Sequence, residues 1–243
     1  MEFKSFSKKE LTDILCLIHR CVQCRTENDI IGVVWRLKDM VGADNGVCAL
    51  GDVSGNILKI INVNYPVEWL DAYASEELYK KDPVIRFNYT FFKTHFWSEA
   101  LQRFSDEPYV DLMNRASEFR LRYGMAGGVN GSEQDCGSIF SFSSDRNGFT
   151  GNNLKILDVL TPHIHQAIAR ICEKRGMLLQ SLSVREMEVL EWMKEGKTNW
   201  EISVILNISE RTVKFHVQNI EKKLNAVNKA HAIAIAMDNG LVF

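Results

Sequence analysis

Two groups of residues in this 243-residue chain have types and spacings that could do chemistry. The first is a set of aromatics around one carboxylate: Tyr65, Trp69, Tyr73, Asp82 and Trp97. Trp69 and Tyr73 stand four apart, so a helix would put them on one face. Tyr and Trp each join an apolar body to one hydrogen-bonding tip. An ionised Asp only accepts hydrogen bonds, so Asp82 in a closed space calls for N–H or O–H donors. Such a set suits a small amphiphile, with its polar head on the phenols, indoles and carboxylate and its tail in an apolar cavity. The same residues also suit plain structural duty, with Tyr65, Trp69 and Trp97 as core aromatics and Asp82 capping the turn before Pro83. The second group lies near the C-terminus, where Arg211, Lys214, Lys222 and Lys223 stand against Glu221. Lys214 and Gln218 are one helical turn apart; Lys can donate to guanine edges and Gln can pair bidentately with adenine. Arg211, Thr212, His216 and Lys222 suit phosphates, which set register rather than sequence. A merely solvated helix face accounts for the same charges.

Elements must position these groups. Ser7–Glu10 spells a capping box opening a first helix to about Cys24, with apolar positions at Leu11, Ile14, Leu15, Ile18 and Val22. A second helix is expected from about Asn28 to Val41. Residues 46–51 and 57–63, around a Ser54-Gly55 turn, read as a hairpin. Tyr65–Asp82 holds one or two short helices, with Pro66 suited to a first turn. Phe91–Trp97 is a candidate strand, and Asp106–Arg122 a helix with Gly124 as its stop. Residues 126–129 and 137–142 form two further strands, and Thr150–Lys174 a long amphipathic helix. This order predicts an antiparallel sheet covered by helices on both faces, an α-β-α sandwich. A break is expected at Lys174-Arg175-Gly176. Beyond it come four helices: one opened by a Ser183–Glu186 capping box and stopped at Gly196, one capped by Asn199, one opened by Ser209, and one over Lys229–Asp238. Two short helices joined by a tight turn, the second basic, are helix-turn-helix geometry.

Composition narrows the function classes. The chain has 29 basic and 31 acidic residues, a net charge of −2, which argues against a wholly basic wrapper of nucleic acid. The basic face of 211–223 is offset by acids at Glu188, Glu191 and Glu195. No run reaches the ~18 apolar residues of a membrane span, and no secretory leader is visible, so a cytoplasmic location and no membrane partner are expected. Cys16, Cys21 and Cys24 copy part of an iron–sulfur spacing. Their helical context favours cysteines acting as small core hydrophobes. No nucleophile elbow, zinc-binding His-Glu-x-x-His or phosphate loop occurs; His163 and His165 point to different helix faces, and Gly124–Gly131 lacks the loop lysine. No enzyme, metal or cofactor is expected.

Leu182-Ser183-Val184-Arg185-Glu186, Leu190, Gly196-Lys197-Thr198-Asn199 and Ile208–His216 resemble the LuxR-type helix-turn-helix domain. Tyr65-Pro66-Val67-Glu68-Trp69, Tyr73, Asp82-Pro83-Val84, Trp97 and Gly124 resemble the autoinducer-binding domain of LuxR-type quorum-sensing regulators. The resemblance implies a PAS/GAF-like sensing domain over 1–173, a linker at 174–180 and a DNA-binding domain over 181–243. It implies an N-acyl homoserine lactone as ligand, with Trp69 on the lactone carbonyl and Asp82 on the amide N–H. Tyr73 and Ser141 would take the acyl carbonyl, with Ser138 or Ser143 as alternatives to Ser141. Tyr65 and Trp97 would pack the head group, and Val84, Ile85, Leu121 and Ile139 the tail. DNA contacts are implied at Lys197, Thr198, Arg211, Thr212, Lys214, His216, Gln218 and Lys222. The implied partners are double-stranded DNA at a palindromic promoter site, a second copy of the chain, paired in part through Thr150–Lys174, and RNA polymerase. A different amphiphile, or activity without ligand, is the rival expectation.

Overall fold

The computed structural model describes residues 6–52, 57–104, 107–129 and 136–242. The chain divides into two compact units, 1–168 and 169–243. The first opens with helices α1 (Lys8–Gln23) and α2 (Glu27–Met40), each started by a capping box, Ser7 with Glu10 and Thr26 with Asp29. Strands β1 (Asn45–Asp52) and β2 (Ile57–Asn62) pair antiparallel as the expected hairpin; its Ser54-Gly55 turn lies outside the described residues. Helix α3 (Val67–Ser75) and a 3-10 turn (Leu78–Lys81) lead to α4 (Pro83–Phe91). A two-residue strand β3 (His95–Phe96) precedes α5 (Trp97–Arg103) and α6 (Glu107–Glu118). Strands β4 (Tyr123–Val129) and β5 (Cys136–Ser144) complete a sheet of order β2-β1-β5-β4-β3, antiparallel throughout. Helix α7 (Gly151–Ser181) follows.

Alternation along β5 sorts the two faces of the sheet. Phe140 and Phe142 are fully buried on one face, and Ser138 there hydrogen-bonds His165 of α7 at 2.9 Å. A side chain at Gly127 would meet Leu157 of α7, and one at Gly46 would meet Lys38 of α2. Ile139 and Ser141 point the other way, toward α3–α6. Helices therefore cover both faces, as expected.

Several details differ from the sequence expectation. The buried side of α1 is Ile14, Leu17 and Cys21, while Leu15 and Val22 face solvent. Most of Phe91–Trp97 is not strand: Phe91 ends α4 and Trp97 begins α5. Gly124 stops no helix; α6 ends at Glu118 and Gly124 lies within β4. The break at 174–176 is also absent as such, because α7 is helical through Ser181. Gly176 did not interrupt it, consistent with a cost of only about 1 kcal/mol for a helical glycine.

The second unit packs α8 (Val184–Lys194), α9 (Asn199–Leu206), α10 (Glu210–Lys223) and α11 (Lys229–Asp238) around Val189, Leu190, Met193, Ile202, Val213, Val217 and Ile220. Ser183 and Ser209 cap α8 and α10 as expected. Thr198, not Asn199, caps α9, in a box with Glu201. Gly196 follows α8 at φ +75°, a conformation that favours glycine.

Candidate functional site

Helix α4 organises the first site. Asp82 is its N-cap: one carboxylate oxygen accepts from the Val84 N–H at 2.7 Å and the Ile85 N–H at 3.4 Å. The other accepts from the Tyr73 hydroxyl at 2.7 Å. Both alternatives in the sequence thus hold together: Asp82 caps a helix and also faces the aromatic set. Burial pushes its pKa up, against the pull of these three donors. Burial raises Tyr65 to about 12 and holds Tyr73 well above the ordinary phenol value, so both stay protonated donors.

Tyr65, Trp69, Tyr73, Asp82, Val84, Ile85, Trp97 and Ser141 all line one cavity enclosing about 700 Å³ of space, part of it open to solvent. Leu121 and Ile139 line it too. The sequence did not single out Val47, Ala49, Ile57, Ile60, Leu70, Leu112, Met113 and Ala116, which complete the wall. Only the apolar residues of β1 and β2, the place of Leu70 beside Trp69 on α3 and the apolar spacing of α6 could have flagged them. Lining of this kind, apolar with a few convergent polar groups, is typical of small-molecule sites.

Hydrogen-bond accounting shows what the cavity still offers. Ser141 Oγ accepts from the Trp97 indole N–H at 3.2 Å and the Tyr65 hydroxyl at 3.5 Å, which leaves its own proton free to donate. The Trp69 ring packs at a tilt against Tyr73 and Phe119. Ser138 is taken up on the opposite face of the sheet by His165, so strand alternation separates it from the cavity. Trp97 lies flat against β4, where a side chain on Gly124 would come within 2.3 Å of its ring. Glycine at 124 is what admits the indole.

In the second unit α9, the turn at Asn207–Ser209 and α10 form a helix-turn-helix, with Asn207 at φ 52°. Arg211, Lys214, Gln218 and Lys222 are exposed along α10. Phe215 shares that side and is 59% exposed, an apolar member that sequence reasoning did not pick out. Thr212 is tied to the Ser209 hydroxyl at 2.7 Å, and His216 is partly buried with Nδ1 unpartnered among the described residues. Thr198 and Lys197 stand at the start of α9; Lys197 also gives its carbonyl to Lys229 Nζ at 2.6 Å. Glu186 is 3% exposed and takes the Lys223 ammonium at 2.6 Å and the Ser183 N–H at 2.7 Å. Burial alone would raise its pKa, but these donors outweigh it and hold the carboxyl below its usual value. Among the described residues no three His, Cys, Asp or Glu stand together as a metal site; Cys16 is exposed while Cys21 and Cys24 are buried.

Residues 27–168 match the family model for the autoinducer binding domain, and residues 180–236 match that of bacterial regulatory proteins of the luxR family. The chain belongs to the LuxR family of autoinducer-binding regulators. It is therefore a ligand-responsive transcriptional regulator with a DNA-binding domain, and not an enzyme. The quorum-sensing-dependent regulator RpaR of Rhodopseudomonas palustris is 33% identical over 73% of each chain. The activator VanR of Vibrio anguillarum is 29% identical over 94% of this chain and 97% of its own. Among solved structures, Escherichia coli SdiA shares the fold with a TM-score of 0.56 at 23% identity, covering 96% of this chain and 99% of that one. No helix of this LuxR-family chain, among the described residues, is long and apolar enough to cross a membrane.

Proposed function

We propose that the ligand is an N-acyl homoserine lactone and that it takes up the unspent hydrogen-bonding capacity of the first cavity. The observation that carries this is the match between what remains and what such a head group needs. Asp82 has lone pairs to accept an amide N–H, Ser141 has a proton for an acyl carbonyl, and the Trp69 indole is a donor for a lactone carbonyl. The Tyr73 hydroxyl now donates to Asp82. A ligand amide arriving on that carboxylate releases it to the acyl carbonyl beside Ser141. Tyr65 and Trp97, with Val84, Ile85, Leu121 and Ile139, enclose the rest.

Ligand that binds the folded unit and not the unfolded chain stabilises it by RT ln(1 + [L]/Kd), about 2.7 kcal/mol at a hundredfold excess over Kd. The stabilised sensing domain, 1–173 by sequence, then pairs with a second copy. Two α10 helices meet half-sites about one turn of DNA apart. There Lys214 and Gln218 read bases, while Arg211, Thr212, His216, Lys222, Lys197 and Thr198 hold phosphates.

The test is a promoter-reporter dose curve across acyl homoserine lactones for the wild type, Asp82→Asn and Trp69→Phe. Leaving a buried polar group unpaired costs about 1–3 kcal/mol. Each variant is expected to need roughly tenfold or more ligand for half response. Unchanged half-response concentrations in both variants overturn this assignment.

A further inference from the structure

A narrow second pocket, its roughly 340 Å³ of space open in part to solvent, adjoins the first, sharing Ala49, Ile57, Ile85 and Ile139 with it. Its one buried side-chain amide is Asn88, on α4 and 3% exposed. Asn88 lies six residues, or about 9 Å of helix rise, from Asp82, so the head-group carboxylate and this amide mark two ends of one helix. Val84 and Asn88 are four apart and share a helix face.

The Asn88 side-chain oxygen is buried and, among the described residues, has no hydrogen-bond partner. Buried polar groups are almost always paired, so this exception calls for a partner. Its position is also built. A side chain on Gly128 would come within 2.4 Å of the Asn88 amide nitrogen, so glycine on β4 makes room for the amide. The rest of the wall is mostly apolar or aromatic, with Leu50, Ile57, Ile85, Tyr89 and Phe92; Ser138 also lines it, but its hydroxyl is bonded to His165. An unadorned hydrocarbon tail reaching this place would leave the amide unpaired. A hydroxyl both donates and accepts, so it pairs with either end of a carboxamide.

We propose that Asn88 is a specificity residue for the remote end of the ligand, selecting an acyl tail that carries a hydroxyl far from the head group. This rests on the lactone assignment above and adds the class of tail to it. Sites built to hydrogen-bond a hydroxyl discriminate strongly against analogues lacking it.

The test compares, in the same reporter, hexanoyl-, octanoyl- and decanoyl-homoserine lactones with their terminally hydroxylated counterparts, for the wild type, Asn88→Leu and Asn88→Ala. At the best-fitting length the wild type is expected to respond to the hydroxylated lactone at roughly tenfold lower concentration than to the plain one. Both variants are expected to lose that preference, and Asn88→Leu to favour the plain chain. Thermal melts accompany the curves, and the smaller Asn88→Ala substitution keeps the test open if leucine does not fit. Plain lactones that act as well as hydroxylated ones on the wild type overturn the Asn88 proposal and leave the lactone assignment standing. So does a hydroxyl preference that survives in a folded variant. Failure of every lactone, plain and hydroxylated alike, overturns the lactone assignment and this proposal together.

Discussion

Asp82 in the sensing unit and Glu186 in the DNA-binding unit begin from the same local chemistry, and the protein uses them in opposite ways. Each is a carboxylate at the N-terminal end of a helix, and each accepts backbone N–H bonds there. Glu186 also meets a cation, Lys223, which ties α8 to α10 and holds the carboxyl below its ordinary pKa. Among the described residues Asp82 meets no cation; its further partner is the neutral Tyr73 hydroxyl, and burial raises its pKa. A carboxylate with a cation is a structural tie. One whose other partner is a neutral phenol at a cavity wall retains capacity for a visitor.

The largest effect that tests this contrast is on stability. Glu186→Ala leaves Lys223 unpaired and removes a cap. Lys223 is partly exposed, so solvent screening trims the loss to about 2 kcal/mol of unfolding free energy. Urea denaturation measures it. Gly124→Ala comes next. Its methyl must displace the Trp97 ring, at about 1 kcal/mol or more by overpacking. The displaced indole also loses Ser141, so ligand response is expected to fall with stability. Tryptophan fluorescence and the reporter together check both. Asp82→Asn should cost well under 1 kcal/mol, because Asn caps helices about as well as Asp. If it destabilises as much as Glu186→Ala, Asp82 is a structural tie and the contrast collapses.

The smallest effect is in pH. Folding raises the Asp82 pKa, so the folded protein holds that proton to higher pH than the unfolded chain does. Stability from this group is full below the unfolded value and is lost as pH rises through the raised folded value. Glu186 runs the other way: its contribution is present above the unfolded value and is lost as pH falls through its lowered folded value. Melts across the acid range should show the first slope vanish in Asp82→Asn and the second in Glu186→Gln. Ligand affinity should rise with pH through the Asp82 transition, because an amide N–H pairs with the ionised carboxylate.

Much of the fold was legible because its signals are local. Capping boxes at Ser7 and Ser183, the hairpin alternation and the helix-turn-helix spacing each lie within a few residues, and the elements formed close to where they were read. Errors arose where tertiary packing overrides a local sign. Gly124 looks like a helix stop, but its lack of a side chain serves the Trp97 ring. The Lys174–Gly176 segment looks like a break, but the helix passes through it. Leu15 and Val22 fit a helical stripe, yet α1 buries the adjacent face.

By itself the sequence determined which side chains carry hydrogen-bonding tips and which helix is basic, because residue type and short spacing settle those. Only the tertiary structure decided what they do together. Tyr65 and Ser141 are 76 residues apart and meet because a strand's two-residue alternation aims Ser141, and not Ser138, at the cavity. The same packing left the Asn88 oxygen buried without a partner among the described residues, for whether a polar group is paired depends on every neighbour that folding brings to it.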